Sequence, residues 1–100
     1  MSGKITVVVA RDYEDLIPDF LANRRKDLQR IGEALESGDF DAVRFAGHGL
    51  KGLGSTYGFE AISELGAHFE DAALAEDAGA IAGLLSELRD YLDRLEVVFE

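Results

Sequence analysis

The sequence predicts an all-α fold, an up-down antiparallel four-helix bundle with a short extended N-terminal arm and a kinked first helix. Three observations lead there. Four segments repeat apolar residues at a period near 100° per residue; a single stretch, Ile5-Thr6-Val7-Val8-Val9-Ala10, reads as extended. The connections between the four segments are short, which makes consecutive helices antiparallel neighbours. One hundred residues, 47% of them apolar, suffice for one core. No repeat, linker or low-complexity tract divides the chain, so residues 1–11 form the arm and residues 12–100 the bundle.

The arm is β-branched, but the sequence offers no second strand to pair with it, so it is expected to pack on the helices. Asp12, followed by Glu14 and Asp15, reads as a helix start, because acids in a first turn are favoured by the helix dipole. Leu16, Ile17, Phe20, Leu21, Leu28, Ile31 and Leu35 then share one stripe, and Pro18 is expected to kink or break the segment near its start. Arg24 falls inside that stripe and has to snorkel toward water. Ser37-Gly38 ends the segment and Asp39 caps the next. Residues 40–57 form the second helix, with Val43, Ala46, Gly47, Leu50, Gly54 and Tyr57 on its core side. The third, from Phe59 to about Glu76, buries Ile62, Leu65, Phe69 and Ala73. Asp77 caps the fourth, in which Ile81, Leu84, Leu85, Leu88, Leu92, Leu95 and Val98 keep the apolar face.

Composition excludes several classes of function. The formal charge is −10, and acids outnumber bases most strongly in the second half, which speaks against a nucleic-acid partner. The basic island Arg24, Arg25, Lys26 and Arg30 reads as a solvated helix face. There is no cysteine, hence no disulfide framework and no thiolate metal site, in keeping with a cytoplasmic protein. The longest apolar run is too short to span a bilayer or to serve as a signal segment, so no membrane association is expected.

Chemistry concentrates in "AGHGLKGLGSTYG", residues 46–58. Gly47-His48-Gly49-Leu50-Lys51-Gly52 satisfies G-x-G-x-x-G, but the dinucleotide motif needs a preceding strand in a βαβ unit, and here a helix precedes it. A phosphate-binding Walker loop needs Lys and then Ser or Thr after its second glycine, where Leu53 stands. On a helical wheel, His48 lies roughly 160° from Leu50, opposite the core. Arg44, Lys51 and Ser55 share its side, with Phe45, Gly49 and Gly52 on the adjoining outward face. Gly47 and Gly54 face inward, where a missing side chain admits a neighbouring helix. Gly52 faces out, and each helical glycine costs about 0.8–1.0 kcal/mol relative to Ala. A partner backbone that must reach His48 accounts for it. His68 lies at the edge of its helix's apolar stripe and reads as core-flanking. His48, His68 and Glu70 do not make a metal site, since no His pair stands at i, i+4 and zinc needs three protein ligands.

His48-Gly49-Leu50-Lys51-Gly52, followed by Tyr57-Gly58-Phe59, resembles the H-x-x-K-G signature and downstream G-F turn of histidine phosphotransfer (Hpt) domains, including those of chemotaxis histidine kinases. "DLIPDFLANRRKDL", "SGDFDAV" and "ELGAHFEDAA" are similar to stand-alone bacterial Hpt proteins. In one respect the chain departs from them: many Hpt domains carry a serine just after the K-G pair, where Leu53 and Gly54 stand here, leaving Ser55 as the nearest hydroxyl.

The resemblance implies a phosphorelay intermediate that accepts a phosphoryl group on His48 from a receiver-domain aspartyl phosphate and passes it to another receiver. Histidine suits this role because a free imidazole, titrating near about 6.5, is largely neutral and nucleophilic at pH 7. Lys51, one turn along, would offset the phosphoryl charge. Glu70 matches a glutamate that orients the imidazole in chemotaxis domains. Arg44, Phe45, Gly49, Gly52 and Ser55 would meet the partner. The receiver would supply Mg²⁺, and the chain would need no cofactor, metal or ATP site of its own. Its partners would be response-regulator receivers and a hybrid histidine kinase, met as a monomer. A start at Met1 and a closing amphipathic helix favour this over a kinase fragment. The alternative is a helical adaptor that binds receivers or partner helices without carrying phosphate.

Overall fold

The computed structural model of the protein describes residues 3–100, so the first two residues of the predicted arm lie outside it. Strand β1 (Ile5–Val9) and a 3₁₀ turn (Arg11–Tyr13) lead into helix α1 (Ile17–Glu36). Helices α2 (Phe40–Gly54), α3 (Glu60–Leu74) and α4 (Ala78–Arg94) follow, and strand β2 (Leu95–Phe99) closes the chain. Helix α1 packs on α2 and α4, and α3 packs on the same two, closing the four into a bundle. Its axis is filled by Ile31, Val43, Leu50, Phe59, Ile62, Phe69, Ile81 and Leu88, all essentially free of solvent.

The stops and caps between the helices act as read from the sequence. Asp39 accepts from the Ala42 N–H and Asp77 from the Ala80 N–H, each at 3.0 Å, satisfying donors that a helix leaves orphaned. Helix α1 ends in a Schellman motif in which Gly38 (φ 71°) donates to the Leu35 carbonyl and Asp39 to that of Ala34. Helix α3 ends in the same way, but the left-handed position is held by Glu76 (φ 52°). A side chain there costs about 1–2 kcal/mol.

Of the kink or break expected at Pro18 the structure has the break: Pro18 occupies the first turn of α1, where its missing N–H has no partner to lose. Two expectations about the elements are corrected. Residues 12–16, read as helix, form the 3₁₀ turn and a further turn. Helix α2 stops at Gly54 rather than at residue 57, and Tyr57 packs edge-on against Tyr13 and Phe20.

The largest correction concerns the arm. It pairs with residues 95–99, read as the last turns of α4, in a two-stranded parallel sheet running from Ile5↔Leu95 to Val9↔Phe99. The ladder continues beyond the strands, with Arg11 N–H donating to the Glu100 carbonyl at 2.8 Å. "LEVVF" alternates: Leu95, Val97 and Phe99 turn half-buried toward the bundle, while Glu96 and Val98 face out. Leu95 and Val98, three apart, also satisfy a helical stripe, which is why period alone misplaces the boundary.

Candidate functional site

Three glycines bring α2 and α3 together. A Cβ on Gly47 would lie 2.8 Å from the Gly66 carbonyl oxygen and 2.9 Å from the Glu70 nitrogen. One on Gly54 would strike the backbone of Ser63, and one on Gly66 would strike that of Lys51. Because the obstacles are backbone atoms, no rotamer change could relieve them. The two helices therefore meet along a seam that only glycine permits. Gly66 escaped the sequence reading. Its signal was there, four residues after Ile62 and therefore next to the apolar stripe of its own helix.

That close approach places a carboxylate from α3 beside the histidine of α2. His48 is 74% exposed, and its Nδ1 stands 3.2 Å from Glu70 Oε2. The other carboxylate oxygen, Oε1, lies 3.7 Å from Lys51 Nζ. Glu70 is only 20% exposed, held between the helices while the imidazole projects outward. Ser63, also missed from the sequence, donates from Oγ to the Lys51 carbonyl at 2.6 Å. It satisfies a carbonyl near the C-terminal end of α2, where a helix runs out of donors of its own.

The pairing bears on the tautomer of the ring. A carboxylate only accepts, so the neutral imidazole holds its proton on Nδ1 and donates it to Glu70. The lone pair then lies on Nε2, pointing away from the bundle. A nucleophile with an oriented base partner and a cation one turn away is suited to receiving an anionic electrophile.

A scan against protein families matches residues 15–97 to the Hpt domain. The chain belongs to the Hpt domain family. No curated protein and no solved structure matches it. Hpt domains carry out histidine phosphotransfer in two-component phosphorelays and generally interact with receiver domains. Among the described residues of this Hpt chain, no helix is long and apolar enough to cross a membrane.

The remaining residues singled out from the sequence fall at different distances from the imidazole. Gly49 and Gly52 are open: a Cβ at either would meet nothing within 4 Å. Phe45 is 82% exposed on the same helix. Arg44, exposed, stands about one turn before His48. Ser55, the C-terminal cap residue of α2, lies two turns past His48, about 10 Å along the axis, and so is not beside the ring. His68 is exposed rather than core-flanking, and lies with Asp71 and Glu87 in a shallow depression between α3 and α4. In this Hpt domain Glu70 and Lys51 are the residues brought beside the His48 ring.

Proposed function

We propose that His48 is the phosphoacceptor and Nε2 its reacting atom. The observation that carries this is the exposed imidazole whose Nδ1 is already engaged by Glu70. The Nε2 lone pair attacks the phosphorus of a receiver's aspartyl phosphate. An N–P bond forms, the acyl phosphate P–O bond breaks, and the electron pair leaves on the aspartate carboxylate. The ring then carries both Nδ1–H and the phosphoryl group, and the Glu70 carboxylate faces its positive charge. Lys51 offsets the charge of the phosphoryl oxygens. Attack by a second receiver's aspartate reverses these steps and returns the pair to Nε2.

The one carboxylate at this site is already shared by His48 and Lys51, so the Mg²⁺ that phosphoryl transfer uses is assigned to the receiver, and the chain holds no cofactor of its own. Phe45, Gly49 and Gly52 form the ground on which a receiver seats, with Arg44 and Ser55 at its ends. A cytoplasmic monomer working between a hybrid histidine kinase and a response regulator fits this reading. Phosphorylation with phosphoramidate or a phosphorylated receiver tests it. His48→Gln loses all acid-labile phosphate while helical content and melting stay near wild type, and His68→Gln keeps its label. Phosphate persisting on the His48 variant removes the assignment, whereas a chain that binds receivers but never takes label is an adaptor.

A further inference from the structure

Arg24 is 7% exposed, and one clause of chemistry explains only part of its placement. Its Nε donates to Asp27 Oδ2 at 2.8 Å, and its guanidinium carbon lies 4.7 Å above the centre of the Phe20 ring. Phe20 in turn stacks on Phe59. Among the described residues, the two terminal nitrogens find no protein acceptor, yet no buried side-chain nitrogen or oxygen lacks a partner. The terminal nitrogens must therefore keep a sliver of solvent contact. Packing alone would be served as well by Met or Leu, without the desolvation of a cation.

The solvent they reach lies in a trough between α1 and α2. Two hollows make it up, of about 610 and 410 Å³, and Arg24 and Leu53 line both. Along α2 the trough extends from Ala42 to Leu53, about 17 Å at helical rise, and continues past the helix to Thr56 and Tyr57. Three of the exposed large apolar side chains, Leu16, Phe45 and Leu53, border it. Asp27 is neutralised from both sides, by Arg24 and by Arg30 at 3.7 Å, so this half of the trough is cationic in a chain of charge −10. Phe45 and Gly49 belong both to the trough and to the face of His48.

We propose that Arg24 is a specificity residue for the receiver: the trough takes an amphipathic helix of that domain, and Arg24 meets an Asp or Glu carboxylate on it. The length and apolar borders suit a helix laid in a groove. The guanidinium is already immobilised by Asp27 and Phe20, so its planar fork of donors is presented to a carboxylate with little further loss of side-chain freedom. A receiver lacking the acid covers the two terminal nitrogens without giving them an acceptor, which discriminates against it. The inference rests on His48 being the phosphoacceptor.

The test uses the receiver domains of the same genome, each loaded with acetyl phosphate, with phosphoramidate as a donor that needs no docking. For the receiver that transfers fastest to the wild type, Arg24→Met raises KM at least about tenfold and leaves turnover at saturation largely intact. Changing the receiver's docking acid to its amide raises the wild-type KM by a similar factor and adds little when combined with Arg24→Met. Should Arg24→Met fail to fold by circular dichroism, Arg24→Lys, which keeps the charge but not the fork, carries the same KM comparison. A wild-type KM in a folded Arg24 variant, or fully additive losses when both sides are changed, overturns the proposal. Loss of phosphoramidate labelling from His48 in the wild type would instead remove the phosphoacceptor reading on which it stands.

Discussion

Glu70 divides its two oxygens between a histidine and a lysine, and the two contacts differ in consequence. The contact to His48 Nδ1 selects a tautomer, while the longer one to Lys51 Nζ holds a cation one turn from the ring. Glu70→Ala frees the ring to exchange tautomers and slows phosphoramidate labelling about tenfold, or about 1.4 kcal/mol of barrier. Glu70→Gln, which can still accept from Nδ1–H, falls between. Lys51→Ala slows transfer on a similar scale, with an effect that shrinks as salt is added, because the amine is more than half exposed. Ring ¹⁵N shifts of His48 move in the Glu70 variants and stay in place in the Lys51 variant; the reverse pattern would show the assignment of tasks to be mistaken. His48, Lys51 and the opposite-to-core placement of the ring were legible in the sequence because a helix fixes angles from spacing alone. That Glu70 reaches the ring was not, since its distance depends on how closely two helices approach.

The approach itself is an affair of elements. Of the four glycines within α2, two serve the seam and two face open space, and the sequence separated them correctly by angle. It missed the reciprocal glycine of α3, because a seam needs a partner and a single wheel shows one side only. The contrast is measurable by melting and denaturant titration. Gly66→Ala forces a Cβ into the Lys51 backbone and costs roughly 1–3 kcal/mol, with the His48–Glu70 contact loosened as the helices part. Gly52→Ala meets nothing and gains about 0.5–1 kcal/mol from helix propensity and a less mobile unfolded chain, yet it slows transfer from a receiver. Equal effects of the two substitutions would mean that the seam is not what those glycines are for.

At the scale of the whole molecule, the bundle was legible and the sheet was not. Each helix announces itself through its own period and caps, whereas β1 has meaning only once residues 95–99 are recognised as its partner, ninety positions away. Such a distant pairing carries a loop-closure cost, which the bundle lowers by bringing the two ends together. Val97→Asp places a charge where the half-buried sheet face meets the helices, at a cost of about 2–3 kcal/mol. His48, borne on α2 and braced from α3, still accepts phosphate from phosphoramidate in that variant below its lowered melting point. Loss of labelling in a folded Val97→Asp protein would show that the sheet supports the site and not merely the fold.

Because β1 and β2 run the same way, tension between Ile5 and Phe99 pulls the two strands along each other in opposite senses. The rungs of the ladder then bear load together, as fibres in a lap joint do, rather than parting one by one like a zip. Arg94, whose Nε donates to the Gly3 carbonyl at 2.6 Å, and Arg11, bound to Glu100, add a rung at either end. The helices lie in the loop between the loaded strands and feel no force until the joint slips. Stretched from its ends, the molecule resists through ten residues of sheet, and His48 with its Glu70 brace is mechanically screened behind them.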